Sequence, residues 1–223
     1  MSVIDKLIRT RRRTLGLQIT RDAQLVVRAP HRAPLEWIAR FVNDKLGWIR
    51  QKQNEVRNAL LQIPKRDFND GAQYIVLGEN VRLTVLPNSD ASLEFNLLGF
   101  SIGEHNRATV ELQFEEWYRA HARRVITESL ERIAGPRQLK FTGPRITGAK
   151  TRWGSCSSKG ALSFSWHLVK APQWVIDYVV AHELAHLSEH NHSRRFWTGV
   201  ETLFPRFQEA RRWLRANQPC LLV

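Results

Sequence analysis

Two histidines four residues apart in an apolar segment constrain this chain more than any other feature in it. Tyr178 to Trp197 reads YVVAHELAHLSEHNHSRRFW, with His182, Glu183 and His186 in its first half and His192 six residues on. Residues four apart project from the same face of an α-helix. Val175, Ile176, Val179, Val180, Leu184 and Leu187 surround the two rings in sequence, and a helix apolar nearly all round is a buried one. Two imidazoles and a carboxylate in such a helix need partners, because unpaired polar groups are costly to bury.

A metal ion supplies those partners. His-Glu-x-x-His on one helix offers two imidazole ligands and a carboxylate placed to reach a metal-bound water. A catalytic zinc site takes three protein ligands and keeps a fourth position open. His192 is the expected third ligand, set just past the helix end, where a left-handed Asn191 would turn the chain back. His190 is the competing ligand and would join only if the helix continued. Ser193 reads as the cap of a new helix, which favours His192. Glu183 is the expected general base. The expected cofactor is one Zn²⁺ per chain.

The composition narrows the class. A chain of 223 residues that is 43% hydrophobic can build a sizeable core. No apolar run approaches the roughly 20 residues of a membrane span, and MSVIDKLIRTRRR lacks the apolar centre of a secretion signal. The expectation is a cytoplasmic protein with no membrane partner. Cys156 and Cys220 are too few and too far apart for a disulfide framework. The net charge of +13 favours an anionic ligand, nucleotide or DNA. Arg194, Arg195, Arg206, Arg211, Arg212 and Arg215 gather part of that charge near the histidine helix; a solvated helix face explains them about as well.

In order along the chain, residues 14–29 alternate as a strand pair about a turn at Arg21-Asp22-Ala23. Pro34 opens one long helix expected to run to about Leu60, and the stretch from Pro64 to Gly71 is a linker candidate. Residues 73–102 are strand-rich, with a hairpin turn at Gly78-Glu79-Asn80. A long helix follows over 107–134, with Leu112, Trp117, Tyr118, Ile126, Leu130 and Ile133 as its buried residues and Gly135-Pro136 as its stop. His121 on this helix, like His31 and His105, reads as structural or exposed. Strands are expected over 140–152 and 161–168, with a bend at Trp153-Gly154-Ser155-Cys156-Ser157. Pro172, Ser193 and Pro205 open the last three helices, the final one short. This predicts an α+β amino-terminal region over 1–104, of strands and one long helix. A catalytic region follows over 105–223.

KTRWGSCSSKG at 150–160 and APQWVIDYVVAHELAHLSEHNHSRRFW at 171–197 resemble the YgjP-like metallopeptidase domain family, also called YgjP-like metal-dependent hydrolases. RTRRRTLGLQI, VVRAPHRAP, FVNDKLGWIRQ and DGAQYIVLGENVRLTV resemble the amino-terminal half of the same family. The resemblance implies an α+β, zincin-like metallohydrolase fold, with an antiparallel sheet packed on an active-site helix carrying HExxH. It places metal ligands on His182, His186 and His192 and a general base on Glu183. Arg152, in the TRWGSC segment, is expected either to meet an anionic group or to pair with a carboxylate, and Cys156 to be packing. Ser165 stands where the family is expected to carry Asn.

The expected function is that of a metal-dependent hydrolase, foremost a zinc metallopeptidase that uses a Glu-activated metal-bound water on a polypeptide substrate. The strands before the helix would then serve either to pair with extended substrate or only to cover the helix. Glu189 and Asp177 are candidates for orienting the histidine rings, and Tyr178 for assisting the oxyanion. The alternatives are a nucleoside triphosphate pyrophosphatase acting on UTP, which the resemblance also implies, and a nucleic-acid-binding module with a structural metal.

Overall fold

The computed structural model describes residues 4–20, 22–61 and 68–222. The chain divides into two compact units, Met1–Pro64 and Lys65–Val223. Residues 64–67, the first half of the linker candidate, lie outside the described residues, as does Arg21 of the expected first turn.

In the first unit, β1 (Lys6–Thr10), β2 (Gly16–Ile19) and β3 (Leu25–Pro30) form a sheet in the order β1-β3-β2. β2 and β3 are the expected antiparallel pair. β1 adds a parallel strand that the arginine-rich start of the chain concealed. Arg9 in that run has a structural task, donating to the carbonyls of Pro30 and His31 at 3.1 and 3.3 Å. Leu25, Val27 and Ala29 alternate inward along β3 and pack on Ile38, Val42 and Ile49. These last three lie on α1 (Leu35–Asp44) and α2 (Leu46–Leu61). The single helix expected from Pro34 is broken at Lys45, whose φ of −110° and ψ of 9° leave the helical region.

In the second unit, β4 (Gln73–Val76), β5 (Glu79–Leu86), β6 (Glu94–Asn96) and β7 (Gly99–Gly103) form a sheet in the order β4-β5-β7-β6. The β4–β5 hairpin turns at Leu77 and Gly78, both at positive φ, as a two-residue hairpin of matching twist requires. The turn therefore falls one residue earlier than expected, and Glu79 and Asn80 belong to the strand. This sheet packs on α3 (Val110–Ala134): Tyr74 stacks on Phe114 with ring centroids 4.1 Å apart, and the Tyr118 hydroxyl donates to the Ile75 carbonyl at 2.9 Å. Residues 73–103 thus share their core with the helices that follow. Of the residues expected inside α3, Tyr118, Ile126, Leu130 and Ile133 are buried, but Leu112 is 60% exposed. Val110 and Phe114 define the true inner face.

The third sheet is mixed. β8 (Thr142–Thr147) runs parallel to β10 (Ala161–Ser165), and β9 (Gly154–Cys156) pairs antiparallel with β10 on its other side. The order β8-β10-β9 leaves β9 at an edge. The strand expected over 161–168 stops at Ser165, and Trp166–Lys170 forms a tight helical turn. That turn delivers the chain to α4 (Gln173–Ala185), which α5 (Arg194–Leu203) and α6 (Phe207–Leu221) follow. α6 is longer than the short helix expected, with Phe207, Ala210 and Leu214 inward. α4 is buried nearly all round, its Val175, Ile176, Val180 and Ala181 fully so. It is fixed to α3 by polar groups as well. Asp177 accepts from Ser129 on α3 at 2.9 Å and from Gln173 at 2.9 Å, and Arg132 on α3 donates to both of its oxygens at 2.7 and 3.1 Å.

Candidate metal centre

α4 ends at Ala185, so His182 lies in its last turn and His186 is the residue that closes it. The next helix opens at Ser193, whose hydroxyl accepts from the Phe196 amide as a helix cap. Between them the chain reverses without the expected left-handed Asn191, which is not among the residues at positive φ. Instead the Asn191 side chain accepts from the Ser193 amide at 3.0 Å, a side-chain turn that serves the same purpose. The reversal brings His192 back over the helix. One ring nitrogen from each of His182, His186 and His192 lies within 4.8 Å of the other two. His190, the competing ligand, is not part of this cluster and is exposed.

Phe196 is the floor of the cluster. It is fully buried, and its ring centroid is 4.9, 4.4 and 4.7 Å from those of His182, His186 and His192. The His186 Nδ1 donates to the Glu189 carbonyl at 3.0 Å, which leaves Nε2 as its free donor atom. Glu189 therefore orients a ring, through its main chain rather than its carboxylate. Asp177, the other candidate for that role, is committed to α3.

The donor set fits a metal ion. His182 Nε2 and His192 Nε2 face each other at 3.2 Å. The edge of a tetrahedron with metal–nitrogen bonds of about 2.0–2.1 Å is roughly 3.3 Å. Burial, with the neighbouring His186, His192 and Arg211, lowers His182 from 6.5 to about 3, so its ring stays neutral. A neutral imidazole is the ligating form. His182 Nδ1 is buried with no hydrogen-bond partner among the described residues, so Nε2 is the nitrogen this ring turns to the other two histidines.

Glu183 follows His182 directly in the last turn of α4. It is 5% exposed, and burial raises its carboxyl to about 7 against the opposing charge of Arg152. Its neighbour is the edge strand β9. A methyl group placed on Gly154 would sit 2.6 Å from the Glu183 Cγ and Oε1. Glycine at 154 is the condition for this carboxylate to lie against the strand. Sequence reading took Trp153–Ser157 only as a bend. The signal present was a glycine in a short strand, which marks a close approach of backbone to another group.

The remaining candidates are placed elsewhere. Cys156 is half-buried and donates to the Ser157 carbonyl, and burial together with the charge of Glu183 raises its thiol. That favours the inert thiol over the thiolate. Tyr178 is buried one turn before His182, its ring 6.0 Å from that of His182, and burial raises its hydroxyl. His121 stacks on Trp117 at 4.6 Å and is not part of the metal-competent cluster. Trp197, which the sequence reading passed over, lies 5.8 Å from both His182 and His192.

The family described as YgjP-like, metallopeptidase domain, matches residues 13–217. No curated protein matches the chain. Among solved structures, the crystal structure of the metallopeptidase zymogen of Pyrococcus abyssi abylysin is similar at 27% identity, covering 42% of this chain and 95% of that one with a TM-score of 0.38.

Proposed function

We propose, for a chain that belongs to the YgjP-like metallopeptidase domain family, that it is a zinc metallopeptidase with His182, His186 and His192 as ligands and Glu183 as general base. Metal-dependent hydrolysis is the activity of the family. The observation that carries the finer reading is the convergence of three ring nitrogens within 4.8 Å of one another, with a buried carboxylate on the residue next to His182.

The substrate class follows from β9. An extended polypeptide pairs with the outward backbone groups of an edge strand, and β9 presents such an edge beside Glu183. Zn²⁺, when bound, supplies Lewis acidity and lowers the pKa of a coordinated water from about 15.7 towards about 7. Glu183 accepts the proton of the attacking water and returns it to the departing amine nitrogen. Arg152, whose charge acts on Glu183, favours the ionised, proton-accepting carboxylate. The Glu189 carbonyl holds His186 in one tautomer throughout. Among the described residues no further cluster of histidines, cysteines and carboxylates has metal-holding geometry.

The test is cleavage of an unfolded protein by wild type and by Glu183→Gln, with zinc content measured in both. Equal zinc with cleavage by wild type alone supports the reading. Equal zinc with no cleavage by either, or equal cleavage by both, overturns it.

A further inference from the structure

Beside the histidines lies a cavity of about 350 Å³ lined by Trp197, Phe207, Gln208, Arg211, Arg212 and Arg215. Trp197 is its link to the metal centre, since the same indole stands 5.8 Å from His182 and His192. We propose that this cavity is a substrate subsite for a carboxylate side chain, so that the protein cleaves polypeptides beside Asp or Glu. The proposal rests on the metallopeptidase reading and adds a specificity to it.

Three features carry it. First, part of the charge is unpaired. Arg211 and Arg215 are four apart on α6, a spacing at which like charges repel, and Arg212 adjoins Arg211. Neither Arg211 nor Arg215 has a carboxylate ion-pair partner among the described residues, while Arg212 shares the field of Glu209. Glu209, the acidic residue of that helix, is engaged by Arg206 at 2.7 Å. Second, one guanidinium is held in place. The Arg211 Cζ lies over the Trp197 ring at 4.9 Å, and Trp197 in turn stacks on Phe207 with centroids 5.5 Å apart. A guanidinium stacked by its face keeps its in-plane N–H groups for a forked bond to a carboxylate. Third, the group stands near the histidines, because Trp197, over which Arg211 lies, has its ring 5.8 Å from those of His182 and His192.

A phosphate could answer the same charge. The peptidase reading favours a carboxylate, which an unfolded polypeptide carries, and the binding of UTP decides between the two.

The experiment uses the full chain as Glu183→Gln with zinc, which stops turnover and leaves the arginines intact. Its binding to a Glu-containing peptide is compared with binding to the same peptide carrying Gln, and with UTP. The Glu peptide is expected to bind about fivefold tighter than the Gln peptide at low salt. That preference should disappear when Arg211→Gln or Arg215→Gln is added. Both arginines are exposed, so neither change threatens folding. Equal binding of the two peptides, a preference that survives both arginine changes, or tighter arginine-dependent binding of UTP overturns the proposal. In parallel, wild type is given a mixture of unfolded proteins and the cut sites are mapped. Cleavage without acidic residues at a fixed position sinks the subsite and leaves the peptidase reading standing. No cleavage, with the Glu peptide still preferred, sinks the peptidase reading and leaves a carboxylate-binding cavity.

Discussion

Gly154 and Glu183 share one space: a Cβ on the glycine would overlap the carboxylate that lies against it, 2.6 Å from Oε1. The edge of a three-stranded sheet and the last turn of a buried helix are fitted to each other at this point. The strand residue is defined by what it lacks, and the carboxylate is positioned by the backbone it can approach.

Gly154→Ala tests that fit. The added methyl displaces Glu183 rather than the three histidines. A misplacement of about 1 Å in a reacting group costs on the order of 100-fold in rate. We expect kcat/KM to fall by about that factor, with zinc content unchanged. A variant that retains wild-type kcat/KM would show that the carboxylate works from some other position.

His192→Ala and His190→Ala separate the two candidates for third ligand. Removing His192 takes one of three convergent nitrogens away, and zinc affinity should drop by at least about 100-fold, more than the loss of an outer partner costs. Zinc at 100 times its dissociation constant stabilises a folded protein by about 2.7 kcal/mol, so the thermal shift on adding zinc should largely vanish as well. His190 is exposed and outside the cluster, and its removal should leave both readouts unchanged. The reverse pattern would exchange their roles.

What the sequence disclosed, and what it withheld, follows from the range of the interactions. His182 and His186 were legible because helical periodicity is local, and so was the Ser193 cap, which bonds only three residues ahead. β1 was hidden because its pairing with β3 is set by contacts some 20 residues away, while its own residues read as a charge run. The division at Pro64 rather than after residue 104 depends on Tyr74, Phe100 and Phe114 meeting in one aromatic cluster. No local pattern announces that meeting. Leu112 was misplaced because apolar content was read without fixing the phase of the helix, which Val110, Phe114 and Tyr118 set. Gly154 and Trp197 escaped for the same reason as β1: each acquires its meaning from a residue distant in sequence.

His121 predicts an acid sensitivity. Arg124 donates to its Nδ1 at 3.3 Å, so the ring proton resides on Nε2, which is buried without a partner. Acid must add a second proton facing a guanidinium. Burial and Arg124 accordingly lower this histidine from 6.5 to about 4, opposed by Glu128. Between those values the unfolded chain binds more protons than the folded one, so stability is full above about pH 6.5 and falls as the pH drops towards 4. With the ring only partly buried, the loss is about 1–2 kcal/mol. His121→Phe keeps the stack on Trp117 and removes the titration. Urea unfolding of both proteins at pH 7.5 and pH 5 should show wild type losing more stability on acidification. Parallel losses would refute it.

Asp177 predicts how far α4 depends on its neighbour. Its carboxylate accepts four hydrogen bonds from Ser129, Arg132 and Gln173, joining α3 to the first half of α4. Ser129 is fully buried and Asp177 nearly so. Asp177→Ala leaves the serine hydroxyl without its acceptor, whereas the Arg132 guanidinium, half exposed, recovers water. Losing a buried carboxylate acceptor while stranding one buried donor costs about 1–3 kcal/mol, read as a lower urea midpoint at unchanged slope. Arg132→Ala should cost less, because its charge is the best hydrated member. The double variant should cost less than the two single losses added together, since the residues share one set of bonds. Strict additivity, or a loss below about 0.5 kcal/mol for Asp177→Ala, would mean that apolar packing alone seats α4 and that the carboxylate is incidental to it.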